Sequence, residues 1–471
     1  MQSFQLIIDG KSVAGDQTSF EIRNPATFEP LGLAPASSPA QVNAAVAAAK
    51  AAQPAWAALP DASRKDYLNK VAEVLKSNTE YLAKWITQEQ GKPLAGPGSM
   101  FEMQACIGWT QVPASLDLPV EVVFEDDTRR DELRRKPIGV VGAIAPWNWP
   151  LLIAIWQIVP SLRVGNTVVI KPSEYTPLGT LEMARLIAAV LPPGVLNTVG
   201  GDGKVGDLLV RHKDIQKIMF TGSTRTGKRI IEASANSLAR LTLELGGNDA
   251  AIVLPGAKPA EIAEGLFWGA FINMGQTCAC AKRLYVHESI YEDTVQALKS
   301  VAEKMTMGDG MKDGVVLGPI QNKMQFDKVS ELVEDAKSHG ARIVTGGKAP
   351  GGKGYFYPIT LVADIADGTR LVAEEQFGPV LPIIKYRDVA HAIAMANALD
   401  AALGASVWSS DASEAMRVAQ QLEAGTVWIN QHGAIHPMVP FGGIKGSGQG
   451  VEFGMEGLKA LTVPQVISIK K

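Results

Sequence analysis

The sequence predicts an α/β protein with two consecutive doubly wound domains. From about residue 138, short β-branched runs alternate with amphipathic segments, the pattern of a parallel sheet covered by helices on both faces. A second alternating set follows Gly246. The length of 471 residues exceeds what one compact core holds and suggests two to four domains.

Taken in order, Met1 leads directly into polar, strand-like sequence. The Ala-rich stretch 39–58 has apolar residues at helical spacing, and 63–88 reads as two further helices. Strands are expected at 138–145, 167–171, 195–199, 217–221 and 241–245, with helices between them at 178–190, 204–211 and 226–234. The second set has strands at 251–254, 283–287, 342–345, 380–385, 406–408 and 426–430. Its helices are at 259–273, 289–305, 322–339, 389–398 and 413–423. The segments 120–136 and 463–471 fit neither set.

Composition is that of a soluble globular chain, 46% hydrophobic and 20% charged. A net charge of −3 gives no footprint for nucleic acid or anionic lipid. Three cysteines cannot all pair within the chain, so a reducing, cytoplasmic compartment is expected. No secretory leader and no uninterrupted apolar span of ~20 residues is visible. The apolar stretch 138–152 is broken by Pro146, Asn148 and Pro150.

Several stretches carry chemistry. Gly201-Asp-Gly203-Lys-Val-Gly206 matches GxGxxG after a strand and before a helix, the context for a dinucleotide phosphate. Its glycines also serve the turn alone, and Phe220-Thr221 stands about 20 residues on where an acid is expected. Phe220-Thr-Gly222-Ser223-Thr224 is a second strand–turn–helix junction, suited to phosphate or to simple capping. Cys278 sits in a Gly-containing loop that substrate can reach, although cysteine often serves as a small core residue. Cys106, in helix-like sequence, reads as core. Glu244 ends an apolar strand, where a raised pKa suits a general base, unless the strand is an edge and the acid points to water. Asn148 follows another strand, placed to donate to an oxyanion or to cap its own turn. The six histidines show no metal spacing, and no metal is expected.

Together these pieces resemble the aldehyde dehydrogenase superfamily over nearly the whole chain. The resemblance rests on ordered motifs: Pro146-Trp-Asn-Trp149, Lys171-Pro-Ser-Glu174, Phe220-Thr-Gly-Ser223, Glu244-Leu-Gly-Gly247, Gly275-Gln-Thr-Cys278, Glu374-Glu-Gln-Phe-Gly-Pro379, and Pro440-Phe-Gly-Gly443 with Lys445, Ser447 and Gly448. It implies a Rossmann-like cofactor domain (1–114 and 137–245) and an α/β catalytic domain (246–450). A small bridging β oligomerisation element (115–136 and 451–471) would pair with another subunit in a homodimer or homotetramer.

The resemblance assigns Cys278 as nucleophile, Glu244 as general base and Asn148 as oxyanion donor alongside the Cys278 amide. Lys171 and Glu174 would hold the adenine ribose of NAD, favoured over NADP. Trp147, Gly222 and Ser223 would face the pyrophosphate, and Glu375 and Phe377 the nicotinamide ribose and ring. Gly203 then lies beside the adenosine rather than on the phosphates. Asn248 and Val451 depart from common family patterns at positions outside the central chemistry, and Cys280 is unusual so near the nucleophile.

The substrate tunnel would be lined near Phe101, Trp149, Leu152, Ile153, Trp156, Ile435 and Phe441. With no arginine to hold a second carboxylate, it favours a hydrophobic aliphatic or aromatic aldehyde, and its aromatic walls also admit betaine aldehyde. A CoA-acylating dehydrogenase and a non-catalytic structural relative are the rivals. Glu244 argues against the first, and the intact Cys278, Glu244 and Asn148 against the second.

Overall fold

A computed structural model describes residues 2–471. Its first large sheet has strand order Leu196–Thr198, Thr167–Lys171, Val140–Ile144, Lys217–Thr221, Arg240–Glu244 and Gly448–Gln449. The first five are parallel and the last is antiparallel. The central strands are buried along their whole length, which is why they read as continuous β-branched runs. From Val140–Ile144 the chain builds outward through two strands, then returns to lay Lys217–Thr221 on the other side. That reversal opens a crevice at the carboxyl ends of Val140–Ile144 and Lys217–Thr221, where Asn148 and Gly222 lie.

The second sheet has seven strands in the order Arg342–Thr345, Thr360–Ala363, Val380–Tyr386, Ala281–His287, Asp249–Val253, Gly404–Trp408 and Thr426–Ile429. Only Arg342–Thr345 runs antiparallel. The strand Thr360–Ala363 was not expected; the glycines and Pro358 before it hide a run of only four residues. A third sheet joins Glu121–Glu125, Arg129–Pro137 and Thr462–Lys470, with the last strand pairing from Thr462↔Pro137 to Lys470↔Arg129. The two segments that fitted neither α/β set thus share one sheet. Its exposed apolar residues include Val122, Phe124, Val466 and Ile469.

The helix Pro150–Arg163 corrects the expected element list most sharply. All fourteen of its residues are buried, so it has no polar face and shows no helical period in the sequence. Pro150 stands at its first turn, where a missing N–H costs nothing. This helix positions the site, because its N-terminus follows directly on Trp147-Asn148-Trp149. Among the described residues no helix is long and apolar enough to cross a membrane.

Candidate active site

A cleft of about 1180 Å³ runs along the crevice of the first sheet and ends against the second. Its walls bring together Trp147, Asn148, Lys171, Glu174, Gly203, Gly222, Ser223, Glu244, Cys278, Glu375 and Phe377, residues far apart in sequence.

Cys278 follows the helix Pro259–Phe271 and a turn at Ile272–Gly275. Asn273 (φ 50°) and Met274 (φ 60°) are left-handed there, a conformation non-glycine residues adopt only where surroundings enforce it. Gly275 is left-handed too, and a Cβ on it would stand 2.3 Å from the Gly378 carbonyl. Side-chain amides hold the turn: Gln276 Nε2 donates to Asn273 O (3.0 Å), and Gln276 Oε1 accepts from the Gln321 amide (2.9 Å). Burial pushes the Cys278 thiol up to about 12, and the Lys282 ammonium is the cation opposing that push. Cys280 is fully buried and pushed to about 12 by the same cause. Cys106 is also fully buried, as its helical sequence suggested.

Asn148 is buried, and its Nδ2 donates to Gln276 O at 2.9 Å, which ties it to the Cys278 loop. Its carbonyl accepts from Asn273 Nδ2 (2.8 Å) and from Lys92 Nζ (2.9 Å). Lys92 is paired at 2.6 Å with Glu102, both side chains being fully buried, and lies 3.5 Å from the centroid of the Trp149 ring. The other Glu102 oxygen accepts from the amides of Leu151 and Leu152, capping the helix that follows Asn148. Burial pulls Lys92 down to about 8, and Glu102 resists that shift. Lys92 and Glu102 therefore clamp both sides of the Asn148 turn. Neither was singled out in the sequence, since Lys92 lies 56 residues from Asn148 and Glu102 lies 49 from Leu151. Cutting this buried pair leaves one charge without compensation, so Lys92→Met is expected to destabilise the protein by about 3–5 kcal/mol. Urea unfolding measures it, and an unchanged midpoint would contradict the clamp.

Glu244 ends an interior strand, not an edge: Thr221 pairs with it on one side and Gly448 on the other. It is buried, and neither carboxylate oxygen has a hydrogen-bond partner. Burial raises its pKa well above the usual carboxylate range, and the buried Glu452 adds to the shift. The alternative of an edge acid facing water is thereby corrected, and Glu452 is a neighbour the sequence reading did not single out.

The helix after the GxGxxG-like turn, Gly203–Val210, is capped by the Asp202 carboxylate, which accepts from the Lys204 amide at 2.9 Å. An acid at that N-terminus repels a phosphate. The helix Thr224–Ser234 is instead capped by the neutral Ser223 hydroxyl, and Arg225 and Arg229 line the cleft beside it. Lys171 Nζ donates to the carbonyls of Pro172 (2.7 Å) and Gly201 (2.9 Å) and lies 3.6 Å from Glu174, whose side chain is 38% exposed. Farther in, Trp147 packs edge-on against Phe377 at 5.4 Å.

The expected substrate residues do not line this cleft. Trp149, Leu152, Ile153, Trp156 and Phe441 belong to one apolar cluster, and Cys278 and Ile435 pack against it. Trp156 also packs on Phe453 at 4.7 Å, and Phe453 on Phe441 at 5.9 Å. Phe101 is half exposed and contacts Trp149 at 6.2 Å. Cys278 thus stands between the cleft and an aromatic cluster.

A long cleft at a switch point, ending on a thiol, is the layout of an enzyme that binds an extended cofactor. Residues 12–467 match the Aldehyde dehydrogenase family model. A phenylacetaldehyde dehydrogenase from Pseudomonas fluorescens is 40% identical over 480 aligned residues, covering 99% of this chain and 95% of that protein. An aldehyde dehydrogenase from Bacillus cereus, solved as its NAD+ complex, has TM-score 0.96 and 34% identity over 100% of this chain and 97% of that one. An E. coli NADP-dependent enzyme has TM-score 0.97 and 34% identity, covering 100% and 98%. The chain belongs to the aldehyde dehydrogenase family, a class of oxidoreductases.

Proposed function

We propose that the protein oxidises a hydrophobic aldehyde to its carboxylic acid with NAD and water, through a thioester on Cys278. The observation that carries this reading is the convergence of Cys278, Asn148 and the unpartnered Glu244 carboxylate at the inner end of one cleft.

The thiolate of Cys278 adds to the aldehyde carbonyl and forms a thiohemiacetal. The Asn148 amide, tied to the Cys278 loop through Gln276 O and held from behind by the Lys92–Glu102 clamp, would donate to its oxyanion. Bound NAD would supply a hydride acceptor in the cleft, and loss of hydride from the thiohemiacetal carbon would leave a thioester on Cys278. Glu244 takes a proton from water, the hydroxide adds to the thioester, and Cys278 departs as the thiolate. The balance is one aldehyde, one NAD and one water to one carboxylate, one NADH and two protons.

The residues fit that cofactor. The cleft holds about 1180 Å³, the neutral Ser223 helix N-terminus suits a pyrophosphate, and the Glu375 carboxylate, ion-paired with Lys282 through Oε1, lines the cleft where ribose hydroxyls would donate. The aromatic cluster behind Cys278 favours an aryl or long aliphatic side chain, in line with the phenylacetaldehyde dehydrogenase relative. The exposed apolar strands near Val122 and Val466 suit pairing with another copy of the chain, and the compartment we favour is cytoplasmic. A panel of aldehydes assayed with NAD, NADP and CoA tests the function. Phenylacetaldehyde with NAD and water is expected to be turned over, and CoA to be ignored; formation of acyl-CoA, or no NADH from any aldehyde, would reject it.

NAD is expected to be preferred over NADP. A 2′-phosphate near Glu174 meets a like charge at ~4 Å, costing ~1 kcal/mol in water and more in a partly dry site. Lys171 offers little relief, because two carbonyls and Glu174 already engage its ammonium. Discrimination of about tenfold in kcat/KM is expected. Glu174→Ala should narrow it, and equal or better kcat/KM with NADP would contradict it.

A further inference from the structure

The nucleophile sits in an unfavourable electrostatic place. Glu244, at the end of its strand, Asp249, opening the next, and Glu375, from the loop after Arg370–Ala373, all oppose a negative charge on Cys278. Burial opposes it as well, so a thiolate there needs a cation.

Lys282 is that cation. It lies on the strand Ala281–His287, four residues after Cys278, with a side chain 2% exposed. Its Nζ donates to the main-chain carbonyl of Cys278 itself at 2.5 Å. It also lies 3.1 Å from Glu375 Oε1, an ion pair without hydrogen-bond alignment. The ring of Phe377 is 5.7 Å from the same ammonium. Asp249, 3.4 Å from His432, adds a second buried negative charge nearby, and Cys280 completes the titratable groups around it. These anions outweigh burial and keep Lys282 protonated, its pKa standing above that of a free lysine.

We propose that Lys282 is a positioning residue for the nucleophile: its ammonium fixes the Cys278 main chain, provides the charge partner of the Cys278 thiolate, and shares itself with Glu375. The proposal rests on Cys278 being the nucleophile, but its consequences are readable without turnover. Removing the ammonium disfavours the thiolate. Neutralising Glu375 removes a nearby negative charge and frees the ammonium, so it favours the thiolate. The two changes act with opposite sign.

The test is the rate of Cys278 alkylation by iodoacetamide in the cofactor-free protein, measured at several pH values below the thiol's titration and read at that residue by peptide fragmentation. In Lys282→Gln alkylation is expected to be about tenfold slower at each pH, the equivalent of about 1 pH unit in the thiol's titration. Lys282→Arg should restore most of the wild-type rate, since a purely spatial role for the lysine stem would not be rescued by charge. Glu375→Gln should speed alkylation. A wild-type rate in folded Lys282→Gln would overturn the proposal. Should that variant not fold, an unchanged or slower rate in Glu375→Gln would overturn it instead. Turnover surviving in Cys278→Ala would overturn the nucleophile assignment separately, whatever the alkylation rates show.

Discussion

Cys278→Ala is expected to lose aldehyde oxidation by about four orders of magnitude or more, the scale seen when a covalent nucleophile is removed. Hydride departure requires a tetrahedral carbon bearing an oxyanion, and without the sulfur no group at the inner end of the cleft makes one. Asn148 and Glu244 offer an amide donor and a proton acceptor, neither of which adds to a carbonyl. The fold should be untouched, since Cys278 lies in a loop whose geometry is held by Gln276, Asn273 and Asn148. Cofactor affinity should remain, because the rest of the cleft is intact. Steady-state NADH formation and cofactor titration check both statements. Cys106→Ala should oxidise aldehyde like wild type, its side chain being a buried part of the core.

Glu244→Gln is expected to stall the enzyme after the redox step. Loss of a general base costs about 10²–10⁴-fold in the step it serves. Stopped-flow absorbance should show a burst of one NADH per site followed by slow release. The pH dependence has a definite sign. Burial and Glu452 raise the Glu244 pKa, so the carboxyl is neutral at low pH and becomes an effective base only as pH rises through that value. Glu452 itself is held at about 7, mainly by burial, with Lys217 pulling the other way. Deacylation in the wild type should therefore speed up with rising pH, and that limb should vanish in Glu244→Gln. Unchanged deacylation in the variant would assign the base to another group.

The sequence was informative where local pattern and structure share a cause. The strands Thr167–Lys171 and Lys217–Thr221 stand where their β-branched runs placed them, because both faces are buried and nothing polar interrupts them. Pro150–Arg163 was illegible for the same reason: a helix buried all round shows no period, and its apolar start merges with the preceding strand. The site divides in the same way. Cys278, Glu244 and Asn148 carry local motifs, and the cleft brings them together. The groups that hold them do not. Lys92 reaches across 56 residues to Asn148, a pairing created only by packing of the helical N-terminal region onto the Pro150–Arg163 helix. Lys282 is close to Cys278 in sequence, yet whether it faces the thiol, the core or solvent depends on where the loop ends and its strand begins. The GxGxxG match taken alone points to a phosphate, yet Asp202 inside it caps the helix N-terminus a phosphate would need, which agrees with Gly203 lying beside the adenosine instead.

Acid-quenched mass spectrometry of Glu244→Gln detects the covalent thioester itself. After the variant is mixed with NAD and phenylacetaldehyde, a phenylacetyl group is expected on Cys278, formed in step with the NADH burst and absent when NAD is omitted. NADH released with Cys278 unmodified, or an acyl group found on another residue, would contradict it.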